Sequence, residues 1–531
     1  MKVFKTIIVI ALLAFTACDV DYYTNPNEPT TPPSSAVFNH AVDQIMTDTR
    51  DVWFSGRFTT VTMQYWQQSE YGDEDRYGYR ESMRETWEDF YYNLENLRKV
   101  IQLNTDEETA PDMQAYGSNN NQIQCTRIMM AYTFNIMADT WGDIPYYSYG
   151  SDNEAFQALQ LGDTPDADQI LEPGYATQEA IYADILNELQ LAAENLDEGQ
   201  NGFTQGDNIY HGDVAKWKKF ANSLRLRIAL KIRGANQSLA DQHINDAISK
   251  GVFESNADNA GFQYEANDKN AAPMYTAWNV DNRSDFALGL SFAQLLKGET
   301  VKGHDATGDV TDNPFSGIMD PRIHIYANQN SDGNYIGMPI AESSDEAATI
   351  TFESLPGDAI INTPDYTEYL MEYAEVQFIM SELASQGGAF DQAHYEAGIR
   401  ASMERWGVPT ADIDSYIAAV PAANEENVIT QKYIALYLQP HTAWAEYRRT
   451  GYPETLIPPF TDYSVTNPAE GTTYNFTFSP IPAEIQNTND LPYRMKYPDQ
   501  EYTLNGTEVQ KAIDRLPNGD LQSSKLWWDV N

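Results

Sequence analysis

Thr363–Pro409 reads TPDYTEYLMEYAEVQFIMSELASQGGAFDQAHYEAGIRASMERWGVP, and its punctuation decides the fold. Thr363-Pro364 joins a capping hydroxyl to a proline suited to a first helical turn. Tyr369, Tyr373, Val376, Met380 and Leu383 then recur at three- and four-residue steps, which draws one apolar stripe along a helix. Gly387-Gly388 ends it, and Phe390, Ala393, Ala397 and Trp406 begin a second stripe that stops at Gly407-Val408-Pro409. Two helices separated by so short a break fold back on one another as an antiparallel hairpin.

The same period returns outward along the chain. Trp87, Tyr91, Leu94, Leu97 and Ile101 form one stripe, Met130, Phe134, Met137 and Trp141 another, and Ile181, Ile185, Leu189, Ala192 and Leu196 a third. Asp213 is placed to cap a helix carrying Trp217, Phe220, Leu224 and Ile228, and a further helix runs from about Asn424 to Leu438. Pairs of helices at roughly 34 residues per unit suggest a tetratricopeptide-like stack. The expected scaffold is mainly α and occupies about 36–256 and 363–451. From about 257 to 362 the sequence is irregular and rich in Gly, Asn and Asp, and 452–531 has many Pro and Tyr without a helical period. Such long loop-rich regions carry function when they are ordered.

Residues 1–17 have the parts of an export signal. Lys2 and Lys5 precede an apolar run from Thr6 to Phe15, too short to span a bilayer, and Phe15-Thr16-Ala17 leads directly to Cys18. This resembles a bacterial lipobox, with Phe15 where Leu is usual. Cys18 is then the lipidated first residue of the mature chain, and the Pro-, Thr- and Asn-rich segment 18–35 a flexible tether to a body spanning 36–531.

The chain has 531 residues, with 33 Lys+Arg against 78 Asp+Glu and a net charge of −45. Nucleic acid and anionic polymers are disfavoured partners, because phosphate or sulfate contacts need clustered cations. The common nucleotide, serine-hydrolase and zinc-protease motifs are absent from the sequence, which gives no catalytic residue set. The second cysteine, Cys125, lies within a helical pattern and reads as an inert buried thiol. Asn328, Asn330, Asp332 and Gly333 open like a calcium loop, but Pro339 stands where a closing Glu belongs, so a tight Asp332-Gly333 turn between two short strands is the better reading.

Aromatics outside the helical stripes are more informative. One cluster holds Gln64, Tyr65, Trp66, Gln67, Tyr71, Arg76 and Tyr79; a second holds Tyr275, Trp278, Asn279 and Asn282. Ring faces pack against the C–H face of a pyranose, while amides and guanidiniums match its hydroxyls. These are taken as the candidate ligand-binding residues, with Trp66 and Trp278 as the main platforms. The sequence leaves open whether Trp53, Phe315 or Tyr335 completes the set.

Five stretches occur in an order that resembles the SusD/RagB family of Bacteroidetes nutrient-binding lipoproteins. They are ADTWGDIPYY (138–147), WKKFANSLRLRIALKIR (217–233), DPRIHIYA (320–327), WAEYRRTGYP (444–453) and RMKYPDQEYTLN (494–505). Trp527-Trp528-Asp529 and the DPRI stretch resemble its SusD-like branch, and Asp19 and Asp21 resemble the surface-export tag of such lipoproteins. The arginines of these motifs read as scaffold, pairing with carboxylates to tie helices and loops together. The resemblance implies a SusD-like fold of four tetratricopeptide-like helix pairs with an irregular ligand-binding region. It also implies an outer-membrane location facing the cell exterior, and binding rather than catalysis. The implied partner is a SusC-like TonB-dependent transporter, over which the protein acts as a lid; calcium is present in some members. Combined with the charge, the expected cargo is a neutral oligo- or polysaccharide, with a β-glucan such as laminarin the leading candidate. The alternatives are a peptide-binding lid of the same family and a surface glycoside hydrolase.

Overall fold

The chain winds as consecutive helices, each packed on the next: α1 (Ser34–Arg50), α2 (Arg84–Thr105), α3 (Asn119–Trp141), α4 (Gln178–Asn195), α5 (Val214–Ile232) and α6 (Gln237–Lys250). After the short α7 (Leu290–Lys297), a second group follows, made of α8 (Tyr373–Ala384), α9 (Gln392–Arg405), α10 (Glu425–Ala435) and α11 (Pro440–Thr450). This computed structural model describes residues 31–80, 83–159, 170–485, 488 and 490–530. The export signal 1–17, Cys18 and residues 19–30 of the tether lie outside the described residues.

Local chemistry sets the helix ends. The Asp213 carboxylate accepts from the Lys216 amide at 3.1 Å and starts α5, and Thr177 does the same for α4 through Ala180. Gly388, at φ +116°, lets the chain turn out of α8 towards α9. Apolar stripes then meet in a continuous core in which Trp141, Trp217, Trp444 and Trp528 are fully buried, with a smaller core between α8, α9 and α10. Cys125 is buried on α3, and burial raises its thiol pKa well above the usual value.

Short strands include β1 (Trp66–Gln68), β2 (Ala260–Gln263), β3 (Phe286–Leu288), β4 (Lys302–Gly303), β5 (Thr367–Met371), β6 (Asp462–Asn467) and β7 (Thr472–Thr477), and a further two-residue pair joins Ile144–Pro145 to Tyr175–Ala176. Antiparallel pairs join β1 to β3 and β2 to β5, while β4, β6 and β7 make a three-stranded sheet. Two sequence expectations are corrected here. The helix expected to open at Thr363-Pro364 begins only at Tyr373, because Thr367–Met371 is claimed by β2, with Phe262 opposite Glu368. The Leu370 carbonyl in that strand also accepts from the buried Arg227 guanidinium, a contact that an intrahelical bond would remove. The Asp332-Gly333 turn is present, with Gly333 at φ +78°, but irregular backbone flanks it, not strands. Asn330 builds that turn, its side-chain oxygen accepting from the amides of Asp332 and Asn334.

Most of the motif arginines act as ties. Arg227 on α5 bonds Glu375 on α8, Arg225 pairs with Asp246 on α6 at 2.8 Å, and Arg449 pairs with Glu382 at 2.6 Å. Arg448 departs from the expected carboxylate pairing. It donates to the carbonyls of Asp139 and Tyr493 while its guanidinium lies 3.5 Å from the Trp444 ring centre. The Asp320-Pro-Arg-Ile stretch is a buried joint, in which Arg322 binds Asp320, Ser402 on α9 and Gln431 on α10.

Candidate functional site

The β1–β3 pairing brings the two aromatic clusters of the sequence together. Trp66 lies opposite Leu288 and Gln68 opposite Phe286, and the Ser69 amide extends the ladder to the Asp285 carbonyl at 2.8 Å. Residues 64–80 and 275–285 therefore build one region of the surface and the core beneath it.

Its centre is Arg57. A π-helix, Val52–Thr60, carries this residue, and the Asp51 carboxylate caps the helix by accepting from the amides of Trp53 and Phe54. The guanidinium is buried, bonded to Asp285 and 3.4 Å from Glu74. Glu74 also holds Arg80 at 2.9 Å, and Asp285 holds Arg283 at 2.9 Å. The result is an alternating run of three guanidiniums and two carboxylates. Asp75 beside it accepts from the Gln68 amide, and burial raises its pKa well above the usual range, with the Glu74 charge adding to the effect.

Two rings flank Arg57 and face solvent. Trp53 is 40% exposed and Tyr71 44% exposed, with ring centres 5.2 and 5.1 Å from the guanidinium carbon. Tyr71 also lies 5.9 Å from the guanidinium of Arg80. A hollow of 280 Å³ opens beside Trp53, lined by Arg80, Met83, Arg84, Glu85 and Thr86. That volume suits the small end of ligand pockets. The backbone here is strained: Gln64, Tyr71, Tyr77, Met83 and Asn282 all have φ between +54° and +75°. Left-handed backbone at residues other than glycine costs of order 1 kcal/mol each and gathers where a particular side-chain display is required.

Several predicted site residues lie elsewhere than expected. Trp66 is 0% exposed; its indole donates to the Tyr437 hydroxyl, and its ring packs edge-on against Trp278 at 5.8 Å. Tyr65 stacks on Tyr433 and donates to that residue's carbonyl. Gln64 exchanges two hydrogen bonds with the Ile457 backbone, and Gln67 donates to the Val61 carbonyl. These four residues are buried support, corrected from the direct contacts expected of them. Apart from the Gln67 side-chain oxygen, which is buried without a hydrogen-bond partner, their side-chain polar atoms find partners inside the fold, which makes burial tolerable.

Tyr79 is half-buried against Phe58 and bonds Thr62, and Arg76 reaches the carbonyls of Ser479 and Glu342, so both hold loops in place. Tyr71 keeps its expected exposure. In the second cluster Tyr275 and Trp278 are half-buried, Asn279 ties to the Ile361 carbonyl at 2.6 Å, and Asn282 is exposed. The indole nitrogen of Trp278 is buried without a hydrogen-bond partner. Of the three open candidates, Trp53 joins the site, Phe315 is buried, and Tyr335 lines a different cavity. Arg57, Arg80 and Arg283 were visible in the sequence only as the flanks of the clusters.

Among the described residues, Asp312, Glu426 and Glu454 bring their carboxylate oxygens within 4.8 Å of one another. Burial raises the Glu426 pKa, and the other two charges add to the effect.

A family model described as "Starch-binding associating with outer membrane" (SusD-like) matches residues 26–469, and one described as "Susd and RagB outer membrane lipoprotein" matches 420–529. No curated protein sequence matches the chain. Among solved structures, a SusD homolog from Parabacteroides distasonis shares 23% identity with a TM-score of 0.74, covering 94% of this chain and 98% of its own. A chitin-binding SusD homolog from Flavobacterium johnsoniae shares 21% identity with a TM-score of 0.68, covering 93% and 99%. A SusD-like protein from Bacteroides thetaiotaomicron shares 20% identity at 0.69, covering 94% and 99%. With its helical scaffold and a family match over most of its length, this chain belongs to the SusD-like family of glycan- and nutrient-binding outer-membrane proteins.

Proposed function

We propose that this protein captures a neutral glycan chain on the platform formed by Trp53 and Tyr71 and delivers it to a SusC-like TonB-dependent transporter. The lipid on Cys18 and the tether hold it at the outer membrane, facing the cell exterior. The observation that carries this reading is the display of two exposed rings around one buried guanidinium, with Tyr71 held in left-handed backbone although a glycine would adopt it at lower cost. Rings give a sugar its apolar platform, and the exposed Arg80 and Arg283 offer donors to hydroxyls. Both arginines are already paired with carboxylates, which favours an uncharged partner over uronate or sulfate. A chitin-binding relative handles a neutral polymer; a β-glucan such as laminarin is the leading candidate here. Capture by a tethered lid becomes intramolecular with respect to the transporter, which raises the effective concentration of cargo. No catalytic step is assigned to the protein.

Native affinity gels containing laminarin, glycol chitin, alginate or a sulfated polymer test the proposal. Retardation is expected in a neutral polymer, with Trp53→Ala and Tyr71→Ala each weakening affinity by about threefold to tenfold. Binding of oligopeptides without any glycan would favour a peptide-binding lid. Release of reducing ends on prolonged incubation would favour a hydrolase.

A further inference from the structure

A cavity larger than the hollow beside Trp53 lies away from the ring platform. It measures 710 Å³ and is bounded by α7, by Gly298–Thr300, by the segment Asn334–Gly337 and by Ser464–Thr466 of β6. We infer that this cavity is a second glycan-binding site, taking a neutral stretch of the same polymer that the platform holds; the inference rests on the glycan reading above.

The cavity's chemistry is that of sugar recognition without charge selection. Its two ammonium groups are neutralised on the spot, Lys297 by Glu299 at 2.7 Å and Lys302 by Asp309. The remaining walls combine apolar surface from Leu290, Ile336, Val465 and Pro468 with hydroxyls and amides from Thr300, Ser316, Thr466, Gln294 and Asn334. Thr300 already donates to Asp309, Gln294 accepts from Lys297 and Thr466 bonds Thr473, and the hydrogen-bonding capacity left on these groups both donates and accepts, as vicinal sugar hydroxyls require. Tyr335 supplies the ring. Its hydroxyl is fixed to His324 Nδ1 at 2.8 Å, and it is half-buried, so its orientation is set before any ligand arrives.

The walls are close-packed. A Cβ on Gly337 would fall 2.3 Å from the Leu290 Cα, so this segment lies directly on the start of α7. Backbone bonds from Leu290 to Met338 and from Ser354 to Ile336 hold it there. A site built on packed backbone loses little freedom on binding.

One segment links the cavity to the platform. Beyond Gly337 the chain reaches Glu342, whose carbonyl accepts from Arg76, and Ser344, whose hydroxyl accepts from the Tyr71 amide at 3.1 Å. Two weak sites on one rigid body bind a polymer more tightly than either alone, whereas a short oligosaccharide gains nothing from the second.

The test uses the full chain and the neutral polymers laminarin and glycol chitin in affinity gels. Asn334→Ala/Tyr335→Ala removes cavity groups, and Ser316→Trp fills the cavity from an exposed position that the fold does not depend on. Each is expected to weaken polymer affinity about tenfold. Weak retardation should survive in Trp53→Ala/Tyr71→Ala and vanish when Ser316→Trp is added to it. Retardation of both cavity variants equal to that of the unsubstituted protein would overturn the second site and leave the platform reading standing. Failure of the unsubstituted protein to be retarded by either polymer would overturn both.

Discussion

Tyr71 shows how much a single position decides. Its ring is nearly half exposed on left-handed backbone, whereas Trp66, five residues earlier and read with Trp278 as a main platform, is wholly enclosed. The acidic run Asp73-Glu74-Asp75 lies between Gly72 and Gly78, a composition that favours an exposed turn. Glu74 and Asp75 are nevertheless buried: Arg57, Arg80 and Gln68 surround Glu74, while the Gln68 amide donates to one oxygen of Asp75 and leaves its other oxygen without a hydrogen-bond partner. Partners brought in by the fold thus reversed the reading of exposed and enclosed rings. A second residue-scale consequence concerns Asp48 on α1. Burial, reinforced by Asp89, Asp51 and Asp43, raises its pKa to about 8, and Asn93 donates to it. A carboxyl group whose folded pKa lies above its unfolded value binds its proton more tightly in the native state. Its contribution to stability is therefore lost as pH rises from about 4 towards 8. Asp48→Asn keeps an acceptor for Asn93 and removes the charge. It should raise stability at pH 8 by about 1–2 kcal/mol and change little at pH 4.5; equal effects at both values in thermal melts would refute this.

At the scale of elements, the helices were legible because their periods are local, and Asp213 and Gly388 end or begin helices where the sequence places them. Thr367–Met371 was not, because an apolar run that fits a helix also fits a strand, and the choice was made by the distant edge Ala260–Gln263. The Val52–Thr60 π-helix is similar; nothing in its composition announces the widened turn that sets Trp53 and Arg57 beside each other. The Asp320–Arg322 joint carries a prediction. Arg322 is fully enclosed and ties the loop before it to α9 and α10. Asp320→Ala should cost about 3–5 kcal/mol in denaturant unfolding, because it strands a buried cation. Asp320→Leu combined with Arg322→Met should recover part of that loss; a double variant as unstable as the single one would show that the pairing itself is not what matters.

For the whole molecule, the charge of −45 weakens the compact state through self-repulsion. Salt shortens the range of that repulsion from about 10 Å at 0.1 M to about 3 Å at 1 M. The melting temperature should therefore rise by several degrees with sodium chloride over that range, and a flat or falling profile would sink the idea. The sequence by itself determined the helical scaffold and the family, because helix periods, capping residues and motif order are written within short stretches of chain. Only the tertiary structure decided which rings face solvent, that Arg57 gathers Trp53 and Tyr71, and that a larger neutral cavity lies beside Tyr335. Those outcomes depend on pairing between β1 and β3 and on packing between segments hundreds of residues apart, where burial of one side chain is set by neighbours that its own sequence does not name.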